Sequence, residues 1–266
     1  MNKINSQLNK IKQQNRLGIM THIVIGYPNL KESLSLAKLM AGLGVDFIEL
    51  QLPFSDPMAD GPTIMAANKA ALDNGTRVRD CFKAMKELSE QVNIPLIFMG
   101  YFNTVHSYGA EKFCCDAQKA GASGLIFPDI PLDEEKEEGY IAAAKKNNLI
   151  PIRLLSPAST PERMKKNSKV ADGFLYYVGR KGTTGVKAEL DSKLNIHLKE
   201  LKKYFKIPIA VGFGISKPEH IKSLKGKAAI AVIGSACLNA YDKAPKGEGL
   251  KAVENFLAPL IKEAGK

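Results

Sequence analysis

The sequence predicts an α/β fold, a single (β/α)8 TIM barrel with an extra N-terminal helix, in one domain that spans residues 1–266. Short apolar segments alternate with amphipathic helical segments along the chain, and this alternation is typical of a parallel sheet covered by helices. The alternation contains eight strand–helix units. A length of 266 residues favours eight units closed into a barrel over an open doubly wound sheet, since single-domain barrels run to about 250 residues.

The elements follow one another in a regular order. Ile4, Leu8 and Ile11 recur at helical spacing, so residues 3–14 are predicted to form an amphipathic helix that covers the core ahead of the first strand. The predicted strands cover residues 20–25, 45–52, 95–101, 124–127, 149–155, 173–178, 207–211 and 229–233. The predicted helices cover residues 31–43, a segment from 63, and 77–91, 109–120, 133–147, 160–168, 192–204, 217–225 and 247–263.

The composition argues against several function classes. The formal net charge is +11, but the lysines are spread along predicted helices, and the six arginines form no aromatic-interleaved strip of the kind found in nucleic-acid binders. We interpret the charge as solvated helix faces, which favours an anionic substrate. No apolar run approaches the ~20 residues of a membrane span. The N-terminal segment also lacks the apolar core of a signal peptide.

The cysteines and histidines indicate neither a metal site nor a disulfide framework. The four cysteines show no Cys-x-x-Cys spacing and two of them are adjacent, while the four histidines are scattered without ligand spacing. This pattern predicts a chain that binds no metal and works in a reducing cytoplasm.

One strand carries a carboxylate among apolar residues. Between residues 45 and 52 the side chains alternate, so Ile48 and Leu50 share one face while Glu49 and Gln51 share the other. Glu49 therefore points into the barrel if the leucine face packs on helices. Burying a charge without a partner is costly, so Glu49 is either functional or half of a buried structural pair, and we favour function.

A second carboxylate follows in a rigid loop. The segment 53–62 contains three prolines and a glycine, which predict a stiff turn after the strand. Asp60 in this turn can lean back over the strand end toward Glu49, although aspartate in such turns is more often a cap or turn former.

Glycine-rich turns end the last two strands. Gly-Phe-Gly occurs at residues 212–214 and Gly-Ser at 234–235, where backbone N–H groups of a barrel commonly bind a phosphate. Either motif alone marks only a turn, but the two together predict a phosphate site. The polar loop 179–191 has the composition of a lid, and an irregular connection is the alternative.

These motifs are similar to those of the α subunit of tryptophan synthase over essentially the whole chain. The most specific match is segment 53–64, whose PFSDP and ADGPTI motifs are close to diagnostic for that family. Residues 128–131, 180–185, 212–216 and 234–236 support it.

The resemblance implies retro-aldol cleavage of indole-3-glycerol phosphate to indole and D-glyceraldehyde 3-phosphate. This chemistry needs a proton delivered to indole C3, a base for a glycerol hydroxyl, and stabilisation of charge on the indole nitrogen, which two carboxylates can divide between them. By similarity, Glu49 is the general acid–base and Asp60 accepts a hydrogen bond from the indole N–H. The substrate-binding positions implied by the resemblance are Tyr101, Tyr176, Thr184, Gly185, Phe213, Gly214, Gly234 and Ser235.

The resemblance also implies a partner. Members of this family dock on a β subunit that carries pyridoxal phosphate and receives the indole, so this chain is expected to need no cofactor of its own and to form an α2β2 complex. The implied contact residues are Asp56, Pro57, Asn103, Asp129 and Pro131.

Three positions differ from the family pattern. Gln51 stands where the family usually has glycine, His22 where an aromatic residue is common, and Tyr27 where an acidic residue is often found. We expect these differences to affect the shape of the pocket and not the type of reaction.

Other functions compete with this interpretation. Another phosphate-binding barrel is possible, such as a phosphoribosyl-anthranilate isomerase or an indole-glycerol-phosphate synthase, but the synthase needs an inward lysine that the predicted strands lack. A non-catalytic subunit would have no reason to keep a buried carboxylate. A free-standing lyase that releases indole is the third alternative.

Overall fold

Eight parallel strands close into a barrel in the computed structural model. The structure describes residues 1–179, 187–212 and 214–265, and the side chains at all of these positions except 135, 136 and 187–193. The strands are β1 (Gly18–Val24), β2 (Phe47–Gln51), β3 (Leu96–Met99), β4 (Gly124–Ile126), β5 (Ile150–Leu155), β6 (Leu175–Val178), β7 (Ile209–Gly212) and β8 (Ile230–Ile233). Each strand pairs with the next and β8 pairs with β1, which confirms the predicted (β/α)8 barrel.

Helices connect the strands and cover the outside of the barrel. They are α1 (Lys3–Gln13), α2 (Leu30–Gly42), α3 (Pro62–Asp73), α4 (Val78–Gln91), α5 (Phe102–Tyr108), α6 (Ala110–Lys119), α7 (Glu135–Glu138), α8 (Tyr140–Lys146), α9 (Pro161–Ser168), α10 (Lys187–Tyr204), α11 (Pro218–Leu224), α12 (Ser235–Asp242) and α13 (Gly249–Gly265). A 3-10 turn at Leu132–Glu134 precedes α7.

One helical prediction was wrong in detail, and one helix was not predicted. The segment 133–147 does not form one helix, because Gly139 adopts a left-handed conformation with φ of 60° and separates α7 from α8. The short helix α5 was not predicted. Its first N–H, from Phe102, donates to both carboxylate oxygens of Asp129 at 2.9 Å, so a distant side chain caps this helix.

The helix α1 closes the N-terminal end of the barrel. Ile4 and Ile11 are buried in the same apolar cluster as the inward residues Met20 and Phe47. Gly124 makes room for this helix, since a Cβ there would lie 2.7 Å from Ile4 Cδ1. The predicted amphipathic helix therefore covers the interior core.

The side chains of β2 alternate as the sequence predicts. Ile48 and Leu50 pack in the layer between the strands and the helices, whereas Phe47 belongs to the interior cluster. Glu49 and Gln51 follow Phe47 at period two and therefore face the interior. The parallel register places Glu49 beside His22 of β1.

A buried charge cluster at the start of β2 stabilises this end of the barrel. The Asp46 carboxylate is 2% exposed and accepts hydrogen bonds from Arg16 at 2.6 and 2.7 Å, from Gln7 at 2.6 Å and from the Ile19 N–H at 2.9 Å. Asp46→Ala should lower the free energy of unfolding by about 2–4 kcal/mol, since it leaves buried donors without an acceptor. Urea denaturation measures this.

A matched control for this prediction lies on the surface. Asp73 pairs with Lys69 at 2.7 Å, but the two side chains are 62% and 77% exposed. Asp73→Ala should therefore change the unfolding free energy by about 0.5 kcal/mol or less. Equal destabilisation by the two alanine variants would contradict a structural role for the buried cluster.

Candidate active site

Glu49 lies deep in the C-terminal half of the barrel, with its side chain 1% exposed. His22 Nδ1 is 3.1 Å from Oε2 of Glu49. Burial raises the pKa of Glu49, and the Asp60 charge adds to this rise, while the hydrogen bond and the charge of His22 act in the opposite direction. The net direction is upward, so Glu49 holds a proton at a higher pH than an ordinary glutamate does.

Asp60 turns back from the loop after β2 to the inward face of the strand. Its Oδ2 accepts hydrogen bonds from Gln51 Nε2 at 2.8 Å and from the Tyr101 hydroxyl at 3.1 Å. The Tyr101 hydroxyl in turn accepts the Ala59 N–H at 2.9 Å. The Asp60 carboxylate is thereby anchored by Tyr101 and by Gln51, which lies two residues beyond Glu49 on β2.

Two tyrosines line the same region. Tyr101 stacks on Phe54 with ring centroids 5.1 Å apart and an interplanar angle of 16°. Tyr176 is buried on β6, where burial and then the charges of Glu49 and Asp60 raise its phenol pKa, so its hydroxyl stays protonated. Gly212 leaves space for the Tyr176 ring, since a Cβ at that position would lie 3.0 Å from Cε2.

The glycine turns after β7 and β8 lie side by side. These strands are neighbours, with Gly212 paired to Val232. Gly214 has a φ of 60°, a left-handed conformation that favours glycine. Gly234 caps α12, so the N-terminal N–H groups and the positive dipole end of this helix begin at Ser235. Of the other predicted substrate-binding positions, Thr184, Gly185 and Phe213 lie outside the described residues.

The residues predicted at a partner interface lie at the C-terminal end of the barrel, in the loops after β2 and β4 and, for Asn103, in the first turn of α5. Asp56, Asn103, Asp129 and Pro131 are exposed, whereas Pro57 is buried within the chain. Asp129 also caps α5 through the Phe102 N–H. Their role as an interface stays a prediction.

Three contacts at the site were not predicted from the sequence. Glu49 on β2 contacts His22 on β1, and Asp60 in the loop after β2 contacts Gln51 and Tyr101. The signal for the first of these was the period-two pattern, which puts His22 and Glu49 on the inward faces of two neighbouring strands, whereas strand periodicity gives no signal for Asp60 in its loop.

The described part of the chain shows no cluster of three or more histidine, cysteine, aspartate or glutamate side chains arranged to hold a metal ion. Within the same residues, no helix is both long enough and apolar enough to cross a membrane.

These features define the class of protein: a (β/α)8 barrel with one carboxylate buried on the inward face of β2, a second carboxylate anchored in the loop after β2, and glycine turns after β7 and β8. The family model described as tryptophan synthase alpha chain matches residues 8–263. The alpha chain of Desulfotalea psychrophila is 43% identical over 253 residues, which cover 95% of this chain and 97% of that relative. The alpha chain of Syntrophotalea carbinolica is 40% identical, with 95% and 97% covered.

Solved structures agree with these sequence matches. The crystal structure of tryptophan synthase subunit alpha from Legionella pneumophila strain Paris superposes with a TM-score of 0.91 at 31% identity, covering 99% of this chain and 98% of the other. The chain belongs to the tryptophan synthase alpha chain family. It is a carbon–carbon lyase of tryptophan biosynthesis that cleaves indole-3-glycerol phosphate to indole and D-glyceraldehyde 3-phosphate.

Proposed function

We propose that Glu49 and Asp60 divide the retro-aldol chemistry between them. Protonated Glu49 delivers its proton to indole C3, and the positive charge that develops on the ring is stabilised by Asp60, which accepts the indole N–H. The Glu49 carboxylate then takes the proton of the glycerol hydroxyl next to the scissile bond. The O–H electron pair becomes the aldehyde carbonyl, and the electrons of the carbon–carbon bond return to the indole ring.

The environment of each carboxylate suits its proposed role. The single observation that carries the proposal is Glu49, a buried acid on the inward face of a barrel strand whose pKa is raised by burial. Asp60 uses Oδ2 for Gln51 and Tyr101, so we assign Oδ1 to the indole N–H. Burial thus favours the protonated form of Glu49, whereas two hydrogen-bond donors hold the Asp60 carboxylate in place.

The substrate phosphate is proposed to bind at the glycine turns. Backbone N–H groups of Gly214, Gly234 and Ser235 lie at the C-terminal ends of β7 and β8, and Ser235 opens α12. Thr184, Gly185 and Phe213 complete the proposed substrate site, with Tyr101 and Tyr176 lining the indole part.

The chain is proposed to work as one domain in a cytoplasmic α2β2 complex. Family membership implies a β subunit as partner. We propose that the β subunit supplies pyridoxal phosphate, that this chain needs no cofactor, and that the indole passes directly between the subunits. The proposed contact residues are Asp56, Pro57, Asn103, Asp129 and Pro131. Met58, which follows Pro57 in the loop after β2, exposes 90% of its surface.

Indole release from indole-3-glycerol phosphate tests the partner proposal. The purified chain should release indole slowly alone and much faster when a tryptophan synthase β subunit is added. Asp56→Lys on the exposed loop should reduce this acceleration while leaving the slow basal rate intact. Fast release that ignores the β subunit would indicate a free-standing lyase.

Tyr101→Phe tests the anchoring of Asp60. The substitution removes the hydroxyl that bridges Asp60 and the Ala59 N–H, so kcat/KM should fall about 2- to 12-fold, equivalent to about 0.5–1.5 kcal/mol. The control is Tyr108→Phe, whose hydroxyl donates to Asp116 on the outer surface. A drop of equal size in the control would remove Tyr101 from the site.

A further inference from the structure

His22 is the nearest polar neighbour of the proposed acid–base group. It pairs with Glu49 in the parallel register of β1 and β2, and the two side chains are 3% and 1% exposed. The Nδ1 to Oε2 distance of 3.1 Å is that of a hydrogen bond. A polar pair at this depth is held in one geometry by the strands and by the surrounding core.

In each side chain of this pair, one polar atom makes a hydrogen bond and the other makes none within the described part of the chain. Glu49 Oε2 contacts His22, whereas Glu49 Oε1 and His22 Nε2 are buried atoms without a hydrogen-bond partner among the described residues. Unpaired buried polar atoms are costly, so each one in a native protein needs an explanation, and a catalytic role is one of them. Oε1 is therefore the oxygen of Glu49 that remains for a substrate.

The turn after β8 lies next to His22, on the side away from Glu49. A Cβ added at Gly234 would lie 3.9 Å from the Cβ of His22 and 3.9 Å from Cδ1 of Ile64. His22 thus lies between Glu49 and the turn proposed to bind phosphate.

The charged groups around the pair favour a hydrogen bond donated by His22. Burial lowers the pKa of His22, but the hydrogen bond to the Glu49 carboxylate, the charges of Glu49 and Asp60 and a smaller contribution from Gln51 outweigh burial and raise this pKa overall. Glu49 is faced by His22 from β1, by Asp60 from the loop after β2 and by Tyr176 from β6.

We propose that His22 is a positioning residue of the retro-aldol reaction, which donates its Nδ1–H to Oε2 of Glu49 and so presents Oε1 to the substrate. The inference rests on the proposed role of Glu49. When Glu49 gives its Oε1 proton to indole C3, the new carboxylate keeps the His22 hydrogen bond, and no proton leaves His22. Glu49 then recovers a proton at Oε1 from the glycerol hydroxyl, so the pair ends the cycle as it began.

Two substitutions separate this role from packing. Asn places an amide N–H close to the position of the imidazole Nδ1, whereas Phe keeps the ring volume and removes the donor. In the α–β complex, His22→Phe should lower kcat about 10- to 100-fold with little change in KM. His22→Asn should stay within about 3-fold of the wild type. The opposite order, an active Phe variant and an impaired Asn variant, would show a packing role and overturn the proposal.

The pH profile adds a readout that packing does not move. The hydrogen bond and the charge of His22 hold the Glu49 pKa down against burial. Without them that pKa rises further, so the alkaline limb of kcat, where Glu49 loses its proton, should move to higher pH in His22→Phe. An unmoved limb with unchanged kcat overturns the inference.

A measurement on the wild-type chain reports directly which nitrogen of His22 carries the proton. Nitrogen-15 NMR of histidine-labelled protein should show a proton on Nδ1 of His22, with the signal assigned by its loss in His22→Asn. A neutral ring protonated only on Nε2 would overturn the proposal. If Glu49→Gln retains full activity, the proposed role of Glu49 fails instead, and these two results are distinguishable.

Discussion

Replacing Glu49 by glutamine is expected to lower the turnover of indole-3-glycerol phosphate about 10²- to 10⁴-fold, the range for loss of a positioned general acid–base. Glutamine has the same shape and can still accept the His22 hydrogen bond through its carbonyl oxygen, so the barrel and the pocket should be preserved. It cannot release or take up a proton at neutral pH. The loss should therefore appear in kcat, with substrate binding retained.

Steady-state indole release in the presence of the β subunit measures the effect on turnover, and calorimetric titration with substrate measures binding. The matched control is Glu87→Gln on the outer surface, where Glu87 is 46% exposed and pairs with Lys38 at 2.9 Å. This control should leave kcat unchanged. A Glu49→Gln variant as active as the wild type would remove Glu49 from the mechanism.

Asp60→Asn should have a smaller but still large effect. The amide oxygen can accept the indole N–H, but it carries no charge to stabilise the positive ring, and the carboxylate bonds to Gln51 and Tyr101 weaken. A charged hydrogen bond contributes about 1.5–3 kcal/mol, which predicts a fall in kcat/KM of about 10- to 150-fold.

The same indole assay measures this loss, with Asp73→Asn as an exposed control. Asp60→Asn should impair kcat more than KM, since the charge matters most when the ring becomes positive. Full activity in Asp60→Asn would make Asp60 a turn residue, which is the alternative that its place before Gly61 and Pro62 also permits.

The sequence predicts the barrel and the inward direction of Glu49 because both depend on local periodicity. The alternation around residues 45–52 needs only the strand period, and the order of the elements needs only the helical period between strands. The residues at which the helices begin and end were less predictable. Gly139 interrupts a segment with good helical period, and α5 depends on a cap from Asp129, which is distant in sequence.

The contacts of the two carboxylates depend on register, which a single sequence does not specify. His22 meets Glu49 only because β1 and β2 pair with these two residues opposite each other. Asp60 reaches Gln51 and Tyr101 only because the loop folds back over its own strand and the neighbouring one. The inward positions of Glu49 and Gln51 were predictable from the strand period, but the partners of the two carboxylates were not.

The central claim is that Glu49 transfers the proton at indole C3. The most direct test is hydrogen–deuterium exchange at C3 of indole in deuterated water with glyceraldehyde 3-phosphate present, followed by proton NMR. Each reverse reaction moves the C3 proton to Glu49, where it exchanges with deuterons of the solvent before the forward reaction returns a deuteron to C3. The wild-type chain should therefore incorporate deuterium at C3, and Glu49→Gln should incorporate none above the uncatalysed rate. Exchange by Glu49→Gln at the wild-type rate would contradict the account.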